Sequence, residues 1–242
     1  ERILYVDSAA AGLNNGRSWT NAYTDLQSAL ADTSSCVFEI WVAAGTYKPT
    51  AGADRWGSFD LKNNLKIYGG FAGTEGPEFD INLRDFQLNE TILSGDIGGP
   101  DSTDNSYTIV VGINADSTSI LDGFTLSNAN GNDEFGFPSD PGRGGGIHLN
   151  GGNAILRNLV FDQNTALFGG GIYLLNSSPT ITHCDFMENR QTWGGYGGGG
   201  IMSEGVSSPM IASCIFERNY GFFGGGIYFA GGDPQMDNCH FI

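Results

Sequence analysis

Residues 144–149 read GGGIHL, and the phrase returns as GGGIYL at 169–174, GGGIMS at 198–203 and GGGIYF at 224–229. Its isoleucines, Ile147, Ile172, Ile201 and Ile227, are 25, 29 and 26 residues apart. Self-similarity at that period marks a solenoid, whose units bury an apolar face only by stacking on their neighbours. The second half of each unit keeps the same register. Phe161, Phe186, Phe216 and Phe241 follow their isoleucines by 14, 14, 15 and 14 residues, and Asn164, Asn189 and Asn219 come three residues after the first three of them. Five residues before each phenylalanine stands Leu156, Ile181, Ile211 or Met236, and two before stands Leu159, Cys184, Cys214 or Cys239. Seven before stands Ala154, Pro179, Pro209 or Pro234, and a proline there suits the start of a strand, where its missing donor does least harm.

Units this short and this rich in glycine do not make helices. Each fits two or three short strands joined by tight bends, one coil of a parallel β-helix, with like residues stacked at the strand spacing of about 4.8 Å. The isoleucines, the phenylalanines and the Leu159/cysteine column become interior ladders. Asn158, His183, Ser213 and Asn238 fall at a bend, which suits residues that tolerate left-handed backbone. The glycine triplets are expected to supply the remaining unusual backbone angles.

GGGI followed by F-x-x-N resembles the GGAI and FxxN repeats of the polymorphic outer-membrane proteins of chlamydiae. More broadly, residues 120–242 resemble the pectate-lyase-like right-handed β-helix superfamily of secreted bacterial proteins. The series DLQSAL, EIWVAAGTY, LKIYGGFAGTE, NETILSGDIG and DNSYTIVVG, within residues 3–126, is similar to the N-terminal portion of secreted right-handed β-helix proteins from environmental bacteria. The resemblance implies an all-β fold, a right-handed parallel β-helix solenoid, and an extracellular or cell-surface bacterial location. It implies no single reaction. Enzymes of the superfamily use a basic residue as proton acceptor, often with Ca²⁺ neutralising a uronate. If this chain is an enzyme, the resemblance points to Arg143 and Arg190, because Arg157 and Arg218 sit beside core repeat positions.

The 242 residues read as one β-helix domain: an N-terminal strand, helix cap and first coil over 1–50, irregular coils over 51–143, and regular coils over 144–242, truncated at the C-terminal end. The chain begins with Glu1 and stops inside a coil, so a mature or excised piece of a longer protein is expected, with self-assembly through the uncapped last coil as one consequence. Acids outnumber bases 27 to 11, for a net charge of −16, which argues against nucleic acid or an anionic membrane as partner. No apolar run is long enough to span a membrane. Cys184, Cys214 and Cys239 share one column and read as small buried groups, while Cys36 stands apart. Near the N-terminus, Trp19, Tyr23, Leu26, Ala29 and Leu30 have helical spacing, and Thr24 with Gln27 forms a capping box for a short capping helix over 25–31. Such a helix belongs over the open first coil, shielding edge strands.

Two coils lengthen the same turn. One insertion runs from Ala129 to Arg143 and carries Asp133, Glu134, Phe135, Phe137 and Asp140; the other adds Trp193 and Tyr196 beside Arg190. Insertions at one turn emerge from one edge, and two coils apart their roots are separated by about 10 Å. Phe135, Phe137, Trp193 and Tyr196 are therefore candidates for stacking on sugar rings. Tyr173 and Tyr228 join them, because strand alternation directs the column His148, Tyr173, Met202, Tyr228 outward. Asp96, Asp101 and Asp104, with Asp133 and Asp140 as a second group, are candidate Ca²⁺ ligands in glycine-bearing loops. Asp185, Glu188 and Glu217 lie near one another on adjacent coils, the residue type that glycoside hydrolysis needs in pairs. The regular repeats and the lack of a nucleophile elbow, phosphate loop or zinc spacing point first to a non-enzymatic extracellular or cell-surface scaffold or adhesin segment, binding carbohydrate, a surface protein or an extracellular assembly. The alternative is a Ca²⁺-dependent polysaccharide lyase or a glycoside hydrolase of the pectate-lyase-like superfamily.

Overall fold

The computed structural model describes residues 2–32, 37–99, 101–132, 142–192 and 197–242. Its strands form three long parallel sheets, because each short apolar run meets the equivalent run one coil later. The first sheet has eight strands, from Arg2–Val6 to Gln235–Asp237; the second has seven, from Gly45–Tyr47 to His240–Phe241; the third has six, from Phe59–Asp60 to Ile227–Phe229. Asn130–Gly131, Thr165–Ala166 and Arg190–Gln191 make a short fourth sheet on the edge between the second and third. This is a parallel β-helix, right-handed as parallel crossovers are.

The repeat columns become ladders. Ile147, Ile172, Ile201 and Ile227 are partners in adjacent strands, as are Leu156, Ile181, Ile211 and Met236. Phe161, Phe186, Phe216 and Phe241 stack ring on ring at 4.6, 4.6 and 4.8 Å between centroids. The irregular half joins the same columns, with Val110 against Ile147 and Leu126 against Phe161. Cys184 and Cys214 are fully buried, and both carry free thiols, as does Cys239. The small-group reading of that column therefore holds.

Asn164 and Asn189 are fully buried, and with Asn219 they form a polar ladder inside the turn. Asn189 Nδ2 donates to the Phe161 carbonyl at 2.8 Å and to Asn219 Oδ1 at 3.0 Å, while its own Oδ1 accepts from Asn164 N and Nδ2, each at 3.2 Å. Every polar atom is satisfied, as burial requires.

The bend column is left-handed as expected, with φ of 52°, 52°, 54° and 48° at Asn158, His183, Ser213 and Asn238. A second left-handed column, Gln163, Glu188 and Arg218, carries no residue-type signal. The glycine triplets need correction. Gly144 and Gly169 do take positive φ, but the third glycine of each triplet is required by close approach. A Cβ at Gly146 would lie 2.6 Å from the Gly171 carbonyl oxygen and 2.7 Å from the Phe161 ring, and Gly171 meets Gly200 and Phe186 in the same way.

The N-terminal helix, Leu26–Ala31, buries Leu26, Ala29 and Leu30 against the first coil. Its cap is Asp25, whose side chain accepts from Ser28 N, so the Thr24–Gln27 capping box does not form. Gln27 instead donates to the Pro49 and Ser58 carbonyls and ties the cap to the following loop. The long connection between the first and second sheets over 72–90 is held by Arg84. That side chain is 3% exposed, donates to the Gly69 and Ile81 carbonyls, and pairs with Asp122 at 2.9 Å.

Candidate functional site

Arg143 sits over the Phe168 and Tyr173 rings, donates to the Tyr173 hydroxyl, and pairs with Glu204 at 2.9 Å. Tyr173 points outward as alternation requires, yet it is fully buried, as is Met202, and His148 is 8% exposed. Tyr173 is therefore not available to a glycan: alternation gives the direction of a side chain but not what packs over it. Tyr228 at the end of the column remains partly exposed. Arg190 is exposed and lies over the Tyr220 ring, away from the Arg143 cluster in its contacts. Phe135, Phe137, Asp133, Asp140, Trp193 and Tyr196 lie outside the described residues. The roots of their insertions, after Gly131 and after Gln191, are two rungs apart through Ala166.

Asp96, Asp101 and Asp104 do not act as one set. Asp101 is exposed and caps the short turn Ser102–Asp104, accepting from Thr103 N at 2.9 Å and from its hydroxyl, bonds that hold its carboxyl below the usual range. Among the described residues, no group of three or more His, Cys, Asp or Glu side chains is gathered to hold a metal.

A concavity lies elsewhere, over the outer face of the second sheet. It is a groove of about 470 Å³. Its floor is Thr125, Val160 and Asp185, outward residues of three successive strands. One wall is the end of the 72–90 connection, with Phe86, Gln87 and Glu90, and the other is the bend column with Asn158 and His183. The left-handed bend lifts these two side chains out of the core and into the groove's rim. Phe86 is 36% exposed, and Arg84 stacks on its ring at 5.0 Å, which fixes that wall to the Asp122 cluster below. Glu90 accepts from the Thr125 hydroxyl at 2.9 Å, which pins the rim to the floor.

Two carboxylates on this face are perturbed in the same direction. Asp185 is partner to Val160, and Asp162 stands two residues beyond Val160, so the pair is diagonal, with Cα atoms about 8 Å apart by strand geometry. Partial burial pushes both carboxyls up, and Asp162 is raised further by Glu188 and Glu90. The sequence reading singled out Asp185 but missed Asp162, Glu90 and Phe86. Their proximity depends on the fold-back of a connection that has no repeat pattern.

A folded carboxyl that keeps its proton more firmly than the unfolded one adds stability at low pH, and that contribution is lost as pH rises through the folded pKa. Asp162→Asn is therefore expected to raise the melting temperature at pH 7, with the gain over the parent vanishing towards pH 4. Thermal unfolding followed by circular dichroism at a series of pH values checks this, and a variant less stable than the parent at pH 7 would contradict it.

Residues 104–242 match the sequence profile of a family described as right handed beta helix region. A solved rhamnogalacturonan lyase superposes with a TM-score of 0.59 at 14% identity, over 99% of this chain and 56% of that one, so the chain spans little more than half that protein's length. A candidate glycosyl hydrolase from Parabacteroides merdae superposes with a TM-score of 0.45 at 12% identity, over 84% of this chain and 82% of that one. Among curated protein sequences, none matches the chain. Among the described residues no helix is long and apolar enough to cross a membrane.

Proposed function

The chain belongs to the right-handed β-helix family, and from that premise we propose that it is an extracellular or surface-displayed carbohydrate-binding β-helix, seating a neutral glycan in the groove over the second sheet. The observation that carries this reading is the lining of that groove. A part-exposed aromatic ring, Phe86, with Gln87 beside it on the same wall, faces Asn158 and His183 on the other across a floor of Thr125, Val160 and Asp185. Apolar ring faces beside dense donors and acceptors match the two faces of a sugar. Glu90, Asp162 and Asp185 make the same surface repel a uronate chain, and a net charge of −16 adds to that repulsion.

The test is binding to a panel of soluble neutral and uronate polysaccharides by isothermal titration and affinity electrophoresis. A neutral polymer is expected to bind and polygalacturonate to stay free. Phe86→Ala combined with Gln87→Ala is expected to weaken binding about tenfold, or 1.4 kcal/mol, with the native circular dichroism spectrum retained. Preference for the uronate polymer, or equal binding by the double variant, would sink the reading. Silence across the panel would favour a plain structural scaffold.

A second reading, glycoside hydrolysis, rests on the diagonal pair Asp162 and Asp185. Their Cα atoms are about 8 Å apart on one face by strand geometry, near enough for the two carboxyls to flank one glycosidic bond, and both carboxyls are raised, as a general acid requires. New reducing ends, lost in both Asp162→Asn and Asp185→Asn, would establish it. A lyase centred on Arg143 is the weaker alternative, because that guanidinium is paired with Glu204.

A further inference from the structure

The connection from Gly95 to Ser106 leads from the second sheet into the third. Its ends are tied together, Ser106 N donating to the Gly95 carbonyl at 2.8 Å, which sets Asp96 beside Ser106. Between them the chain closes over Asp104. Gly99 N donates to Asp104 Oδ2 at 2.5 Å, and a Cβ at Gly98 would fall 2.0 Å from the same oxygen. Three side-chain oxygens in this one loop are buried with no hydrogen-bond partner: Asp96 Oδ1, Asp104 Oδ1 and Ser106 Oγ. Ser106 is itself fully buried. No lysine or arginine pairs with either carboxylate among the described residues; Arg55, the cation that reaches this loop, is spent on the carbonyls of Asn105 and Asn130 and on Asn132.

Leaving a buried hydroxyl unpaired is costly, and leaving a buried carboxylate oxygen unpaired more so. Three in one loop, with two negative charges and no donor aimed at any of the three, describe a cation's surroundings. We propose that Asp96, Asp104 and Ser106, with carbonyl oxygens of the same loop, bind a calcium ion. The donor set decides the metal. All the available atoms are hard oxygens of mixed kind, which calcium accepts in a flexible shell of six to eight. Magnesium demands a near-ideal octahedron, and zinc prefers nitrogen and sulfur, of which the loop has none. Asp101 is not a ligand here but a positioning residue, since its cap on Ser102–Asp104 presents Asp104 inward. The ion also has a structural reach. Arg55 accepts Tyr107 N at its carbonyl and lies 4.0 Å over the Tyr107 ring, and half-exposed Trp56 packs edge-on against the same ring at 5.1 Å. Calcium in the loop fixes the base of this aromatic pair.

The test strips the chain with EDTA and titrates calcium chloride while following thermal unfolding and Trp emission. The folded-to-unfolded ratio is expected to rise about a hundredfold when calcium reaches 100 times its Kd, while equal magnesium leaves it nearly unchanged. Asp104→Asn and Asp96→Asn are expected to lose the calcium response and, in EDTA, to be at least as stable as the parent, since each removes a negative charge from a loop that holds no cation to pair it. That second result separates a lost site from a damaged fold. Asp101→Asn is expected to keep the response. No calcium shift in the parent, or a full shift surviving in both Asp96→Asn and Asp104→Asn, overturns the proposal.

Discussion

Asp122→Ala is expected to destabilise the protein by about 3–5 kcal/mol, the cost of stranding a buried charge. Asp122 is fully buried and takes three bonds: Arg84 Nη2 at 2.9 Å, Arg157 Nε at 2.7 Å and Asn158 Nδ2 at 2.8 Å. The partner that suffers is Arg84, whose side chain is 3% exposed and whose pKa is already lowered, chiefly by burial, with Asp122 opposing that shift. Without the carboxylate the guanidinium has carbonyl oxygens but no counter-charge. Arg157 is 36% exposed and turns to water at little cost. Urea unfolding monitored by circular dichroism measures the loss; a change under 1 kcal/mol would mean that the cluster is looser than its geometry. Arg84→Met with Asp122→Leu should recover much of the deficit, because apolar replacement removes both desolvation terms. The exposed pair Arg218–Glu188, 3.5 Å apart with side chains 65% and 45% exposed, is expected to contribute under about 1 kcal/mol.

Phe186→Ala is expected to cost about 3–5 kcal/mol, the range for emptying a phenylalanine site in a packed core. Phe186 is fully buried between Phe161 and Phe216, with ring planes within 4° of parallel on both sides. Neither neighbour can tilt into the gap without leaving its own stack, so relaxation recovers little. Phe241→Ala in the same column should cost far less, because that ring is 53% exposed. Equal losses at the two positions, by the same unfolding assay, would show that the stack does not carry the stability assigned to it.

The regular coils were legible in the sequence because Ile147 and Phe161 recur at nearly fixed distance and face a chemically uniform interior. The same ladders run on into Val110 and Leu126, but the connections between those strands vary in length, so period alone does not find them. The groove was hidden for a different reason. Phe86 and Glu90 reach it only through a connection anchored on Asp122, and no local pattern in 72–90 reports that anchor. Tyr173 shows the limit of alternation, which placed it on the outer face correctly but not beneath Arg143. Asp101 and Asp104 are three residues apart and the same residue type; only the fold separates an exposed cap from a carboxylate under two glycines.

The contact between the third glycine of one triplet and the carbonyl of the next makes each coil a template for the one above it. Ile201 can stand on Ile147 as well as on Ile172, and Phe216 on Phe161 as well as on Phe186, since the partners are chemically the same. Excising the 29 residues from Ile172 to Gly200 would rejoin every ladder in register. Length in this protein is thus set in whole coils, and duplication or loss of one coil changes its reach along the axis while leaving its cross-section and its N-terminal cap as they were.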